Sequence, residues 1–157
     1  MPTVYLVIPC YNEEEVLPET NRRLTEKLKT MAAQGLADDK SRILYVDDGS
    51  RDKTWSLIQE YHEANPVVRG IKLAHNRGHQ NALLAGLMTA MQDCDCAISL
   101  DADLQDDVDA IDEFVKKYLD GCDVVYGVRN KRDTDTFFKR FTAEGFYKVM
   151  KLLGADI

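Results

Sequence analysis

Residues 4–31 read VYLVIPCYNEEEVLPETNRRLTEKLKTM. The opening run, Val4 to Ile8, is apolar, rich in β-branched residues and of strand length, while the polar stretch from Glu14 onward carries Leu17, Leu24, Leu28 and Met31 at helical spacing. Together they spell one strand–helix unit. The same alternation recurs with strands expected over 43–46, 67–73 and 96–100, followed by helices over 54–64, 81–91 and 108–119, and a fifth strand over 123–127. Asp52 stands before Thr54, and Asp106 and Asp107 stand before Val108, where short acidic side chains cap helix amides. Alternation of this kind predicts an α/β fold, a mostly parallel sheet covered by helices on both faces.

The chain has 157 residues, 45% of them hydrophobic, enough for a real core. With no internal repeat, low-complexity tract or Gly/Ser linker, it reads as one domain, with a core over 1–128 and a segment of different character over 129–157. Twenty basic residues against 27 acidic ones, a net charge of −7, exclude a general nucleic-acid binder, because phosphate contacts need a net basic surface. A local basic patch is compatible with that balance. No run approaches the ~18 to 20 apolar residues of a membrane span, and the start lacks a basic n-region and a cleavage site, so an unprocessed, cytoplasmic protein is expected. Cys10, Cys94, Cys96 and Cys122 show no C-x-x-C spacing, which favours reduced thiols over disulfides or zinc.

Between Arg129 and Lys151, seven cations face three acids, an excess of +4 that leaves −11 for the rest of the chain. Phe137, Phe138, Phe141, Phe146, Tyr147, Val149, Met150, Leu152 and Leu153 are interleaved with those cations. An interfacial membrane helix uses this combination, and so does an amphipathic terminal helix docked on an α/β domain. Both readings stand, with residues 137–153 as the membrane contact in the first. Gly154-Ala155-Asp156-Ile157 carries no cap signal or polar tail, and the chain is expected to be the first part of a longer protein.

Ligands of open parallel sheets bind beyond the carboxyl ends of the strands, so chemistry is sought there. Those positions hold Pro9-Cys10-Tyr11-Asn12-Glu13, Asp47-Asp48-Gly49-Ser50, Ala74-His75-Asn76-Arg77-Gly78 and Asp101-Ala102-Asp103-Leu104-Gln105. There is no G-x-G-x-x-G and no P-loop, which removes the two commonest phosphate cradles. Asp101 and Asp103 offer a substitute. Carboxylates at alternate positions can approach one hard divalent cation and leave coordination positions for diphosphate oxygens, with Gln105 as a further oxygen. Taken alone, such acidic pairs also serve as caps and solvated turns, and Asp47-Asp48-Gly49-Ser50 also reads as an Asx-type turn. Arg77 lies where a cation could meet phosphate, whereas His75 and His79 read as a loop and a first-turn histidine.

These residues are what carry a resemblance. Pro9-x-Tyr11-Asn12-Glu13-Glu14, Val46-Asp47-Asp48-Gly49-Ser50-x-Asp52-x-Thr54, Asn76-x-Gly78 with Ala82 and Ala85-Gly86, and Asp101-x-Asp103-Leu104-Gln105 resemble the family 2 glycosyltransferases of GT-A fold. The spacing is similar to that of the polyprenyl-phosphate hexosyltransferases, the group that includes dolichol-phosphate mannosyltransferase and undecaprenyl-phosphate glucosyltransferase. The resemblance implies a donor site in which Pro9, Tyr11, Glu13 and Asp47 hold the base and ribose, with Asp48 close by and Ala102 between the two acids. It implies Mg²⁺ or Mn²⁺ on the diphosphate at Asp101, Asp103 and Gln105, and a basic position near the phosphates at Arg129. The implied reaction is an inverting transfer of a hexose from a UDP- or GDP-sugar to polyprenyl phosphate at the membrane, and a homo-oligomer stays open for the longer protein.

Two departures accompany it. Val108 stands where the family often has proline, and the acidic and arginine-bearing acceptor loop of related enzymes has no counterpart, so no catalytic residue is assigned and Asp156 is only a weak candidate base. Four other readings stay open: a D-x-D phosphatase, which would have no use for Asp47-Asp48; a nucleotidyltransferase, which would want a Gly-rich basic first loop; a nucleotide-sugar-binding module without transfer; and a transferase with a saccharide acceptor.

Overall fold

The computed structural model describes residues 1–104 and 108–127. In chain order, β1 (Val4–Cys10), α1 (Leu17–Ala33), β2 (Arg42–Asp47), α2 (Thr54–Ala64), β3 (Val68–Lys72), α3 (His79–Ala90), β4 (Cys96–Ser99) and α4 (Ala110–Leu119) alternate as the apolar patterning predicts. The four strands are parallel in the order β3-β2-β1-β4. All seven residues of β1 are buried, because β1 pairs on both edges and is covered on both faces.

Period-two alternation divides the core. Val4, Leu6, Ile8 and Cys10, with Ile43 and Tyr45 of β2, pack under Leu17, Leu24, Leu28 and Met31 of α1, Ile58 of α2, and Ile111 and Val115 of α4. Tyr5, Val7, Leu44 and Val46 belong to the opposite face, where they pack with Ala82 and Ala90 of α3. Connectivity explains the division. Crossovers from β1 to β2 and from β2 to β3 run the same way and lay α1 and α2 on one face, whereas the return from β3 to β4 passes beyond β1 and lays α3 on the other.

α3 lies close to the sheet because Ala82, Gly86 and Ala90 recur every fourth residue. A Cβ on Gly86 would sit 2.5 Å from Val7 Cγ1 and 2.8 Å from Val46 Cγ2, so only glycine fits that crossing.

Some expectations shift. α1 starts at Leu17, not at 14; α3 starts at His79, ahead of 81; and α4 starts at Ala110, after a turn at Val108 and Asp109. The expected fifth strand does not form among the described residues: 123–127 makes no sheet pairing. Val124 and Tyr126 are exposed and Gly127 packs beside the Phe114 ring, so the Val-Val-Tyr pattern lacks the buried face and paired edge that make a strand. The cysteines form no disulfide. No helix among the described residues is long and apolar enough to cross a membrane. Gln105, Asp106, Asp107, Arg129, Asp156 and the 137–153 segment lie outside the described residues.

Candidate functional site

Successive connections leave β1 on one side toward β2 and come back to its other side at β4, which makes the β1–β4 boundary the switch point of the sheet. A cleft of about 270 Å³ opens there, lined by Pro9, Cys10, Tyr11 and Glu13 after β1, Asp48 after β2, Asn76, Gly78 and His79 at the start of α3, and Asp101, Ala102 and Asp103 after β4.

The wall built from the β1 and β2 loops is cross-bonded. Asn12 N–H donates to Ser50 Oγ (2.9 Å), Glu13 N–H to Thr54 Oγ1 (2.9 Å) and Glu14 N–H to Asp52 Oδ2 (3.2 Å). In return, Asn12 Oδ1 accepts from Arg51 N–H (2.9 Å) and Glu14 Oε2 from Lys53 N–H (3.1 Å). Asp52 also accepts from the Thr54 amide and hydroxyl. Burial would push its carboxyl up, yet those hydrogen bonds and the one from Glu14 outweigh burial and hold it below the ordinary 3.8. The residues Ser50, Asp52 and Thr54 therefore act as a latch that fixes the backbone of Asn12 to Glu14, with Asn12 in the left-handed region at φ 51°.

Behind the latch, Gly49 (φ 72°) lets the β3–α3 loop pass: a Cβ there would lie 2.6 Å from Asn76 N. Asp48, buried, accepts from Arg77 N–H at 2.7 Å, so it holds that same loop against the cleft. Asp47 is fully buried; its Oδ1 accepts from Ser50 N–H at 3.2 Å, and its Oδ2 has no hydrogen-bond partner among the described residues.

The facing wall is a tight turn. Leu104 N–H donates to Asp101 O (3.1 Å), Leu104 adopts φ 47°, and the buried Ala102 carbonyl accepts from the Thr20 hydroxyl of α1. This pins the backbone while Asp101 and Asp103 line the cleft. Glu13, across from them, has its carboxyl raised above 4.5 by burial and then by the negative charges of Asp103, Asp52 and Asp101. Burial, with Glu13 and Asp47 nearby, pushes the Cys10 thiol far above its ordinary range, which leaves it inert as a nucleophile.

The cleft thus gathers four carboxylates. Among the described residues, no three His, Cys, Asp or Glu side chains are grouped to hold a metal by themselves. Asp101 and Asp103 are nonetheless hard oxygen donors on an open rim, the donor chemistry that suits Mg²⁺ or Mn²⁺ when ligand oxygens complete the shell.

Of the residues singled out by sequence, Pro9, Tyr11, Glu13, Asp48, Asp101, Ala102 and Asp103 meet in this cleft. Asp47 and Arg77 are next to it in the chain without lining it. Cys10, Asn76, Gly78 and His79 line it without having been given a role; their signal was the polar run at a strand end, followed by a glycine that has φ 90° in the fold.

Comparison with known proteins identifies the family and the fold. The chain is 54% identical over 156 residues to the uncharacterized glycosyltransferase YkoT of Bacillus subtilis (strain 168), covering 99% of this chain and 46% of YkoT. It is 36% identical to the bactoprenol glucosyl transferase of Shigella phage SfV, covering 93% of this chain and 45% of that protein. The chain therefore spans a little under half the length of these relatives. Among solved structures, the mannosyltransferase PcManGT from Pyrobaculum calidifontis, in complex with GDP-Man and Mn²⁺, superposes with a TM-score of 0.60 at 25% identity over 73% of this chain and 32% of that one. S. aureus TarS 1-349 in complex with UDP shares the fold, with a TM-score of 0.56 at 18% identity over 87% of this chain and 39% of that one. The parallel sheet with its covering helices is that of the GT-A fold, and with the family pattern matched across residues 5–154, the chain belongs to glycosyl transferase family 2.

Proposed function

We propose that this chain is the nucleotide-sugar-binding half of an inverting hexosyltransferase that moves a hexose from a UDP- or GDP-sugar to polyprenyl phosphate at the cytoplasmic face of the membrane. The observation that carries the reading is the placement of Asp101 and Asp103 at the end of β4, across the switch-point cleft from Tyr11 and Glu13. The bactoprenol glucosyl transferase relative supports a lipid-linked acceptor, and PcManGT with GDP-Man and Mn²⁺ supports donor and metal.

In this reading the latched wall receives the nucleoside, with Tyr11 offering a half-exposed ring, Pro9, Glu13 and Asp48 shaping the pocket around base and ribose, and the buried Asp47 supporting that wall from behind through Ser50. Asp101 and Asp103 hold the divalent cation, which when bound offsets the charge on the departing nucleoside diphosphate. Arg77, in the loop beside the cleft, and Gln105 and Arg129 are further candidates for the diphosphate side. A lipid phosphate is already ionised at neutral pH, so the protein's task is positioning more than proton removal: the donor is held with its anomeric carbon open to the acceptor. The 137–153 segment supplies the membrane contact.

Nucleoside diphosphate release from UDP- and GDP-sugars, with Mn²⁺ present, tests the reading. Release that depends on added polyprenyl phosphate supports it. Release driven only by a soluble saccharide overturns the lipid acceptor, and nucleotide binding without release under any acceptor overturns transfer by this chain.

A further inference from the structure

Four carboxylates line the cleft, Glu13, Asp48, Asp101 and Asp103, and no Lys or Arg among the described residues joins them. A nucleoside diphosphate brings further negative charge to that surface. A cation at Asp101 and Asp103 and the basic side chains proposed above offset part of it, and an N–H donor within the cleft would add a directed contact to phosphate. Asn76, through its side-chain amide, and His79, through its ring, are the lining side chains with an N–H to give, and of the two His79 stands beside Asp101.

The two helix histidines differ in how their ring nitrogens are used. His62 of α2 places Nδ1 2.6 Å from Val68 O, a structural bond between helix and strand. His79 is the first residue of α3; its Nε2 lies 3.9 Å from Asp101 Oδ1, beyond hydrogen-bond distance, and its side chain is 56% exposed on the cleft rim. α3 itself is held in place from behind, by Gly86 against Val7 and Val46 and by Asp48 on the Arg77 amide, so His79 starts from a rigid base.

We propose that His79 is a donor-contact residue whose imidazole N–H binds the sugar-bearing phosphate of the nucleoside diphosphate beside Asp101. This rests on the nucleotide-sugar reading of the cleft and adds a phosphate contact that is separate from the metal ligands.

Titration calorimetry in Mn²⁺ buffer tests it with UDP against UMP and GDP against GMP, on wild type, His79→Ala and His79→Gln. The expected result is an about tenfold loss of diphosphate affinity in His79→Ala. Monophosphate affinity should hold within about twofold, and His79→Gln, which keeps an N–H, should recover most of the loss. Mn²⁺ titrated without nucleotide, however weakly it binds, should give the same isotherm on wild type and His79→Ala. Unchanged diphosphate affinity overturns the proposal, as does an equal loss for mono- and diphosphates. Loss of Mn²⁺ binding in His79→Ala also overturns it, by assigning His79 to the metal side. If wild type binds no nucleotide, the reading of the cleft fails and the contact fails with it, a result distinct from the others.

Discussion

The two walls of the cleft are built on opposite principles. On the β1–β2 side, polar side chains are spent on backbone amides: Ser50, Asp52 and Thr54 hold Asn12, Glu13 and Glu14 across about forty residues of sequence. On the β4 side, the bonds from Leu104 N–H to Asp101 O and from the Thr20 hydroxyl to Ala102 O pin the turn, and the carboxylates of Asp101 and Asp103 remain on the cleft, close enough to raise Glu13. The first wall is satisfied within the protein, and the second concentrates negative charge. Stability and ligand binding should accordingly separate between them.

The largest effect on the latched wall is expected at Gly49. Gly49→Ala places a Cβ 2.6 Å from Asn76 N at a φ of 72°, which should cost about 3 kcal/mol in chemical denaturation. Asp101→Asn on the other wall should leave stability within about 0.5 kcal/mol of wild type, since among the described residues its carboxylate meets repulsion and, apart from His79 at 3.9 Å, no opposite charge. Equal destabilisation by both would erase the distinction. Thr54→Val is a milder version of the same contrast. It deprives the Glu13 amide and Asp52 of a partner and should cost about 1 kcal/mol, together with a loss of nucleotide affinity as the Asn12–Glu14 backbone loosens.

The smallest effect is in pH dependence, where the Asp52 latch and the Glu13 carboxyl, which faces the acids of the β4 wall, should have opposite signs. Asp52 is held below 3.8 in the fold, so its stabilisation is complete above that value and is lost as pH falls through the lowered one; Asp52→Asn should flatten the acid limb of the stability curve. Glu13 is raised above 4.5, so the fold binds its proton more tightly than the unfolded chain and loses stability as pH climbs from 4.5 through the raised value. Glu13→Gln should abolish that loss and be relatively more stable at neutral pH. Denaturant midpoints measured from pH 3 to pH 7 check both signs at once.

Elements and strand-end acids were legible in the sequence because their signals are local. The Val4–Ile8 run, the leucine spacing of α1 and the polar residues after each strand need no knowledge of distant neighbours. What could not be read depends on the return of the chain from β3 to β4. That crossing brings Asn76 and His79 to a cleft where Asp101 and Asp103 lie more than twenty residues further on, so His79 read as no more than a first-turn histidine. The latch was hidden for the same reason: Asp52 was legible as a helix-start residue, but its bond to the Glu14 amide spans 38 positions. Residues 123–127 failed the other way, with a strand pattern that finds no pairing edge among the described residues.

Calorimetric titration of UDP and GDP, each with and without Mn²⁺, on wild type and Asp103→Ala tests the central claim most directly. The account predicts nucleotide binding that Mn²⁺ strengthens at least tenfold in wild type, and no such strengthening in Asp103→Ala. Equal binding by both proteins, with Mn²⁺ making no difference to either, would contradict it.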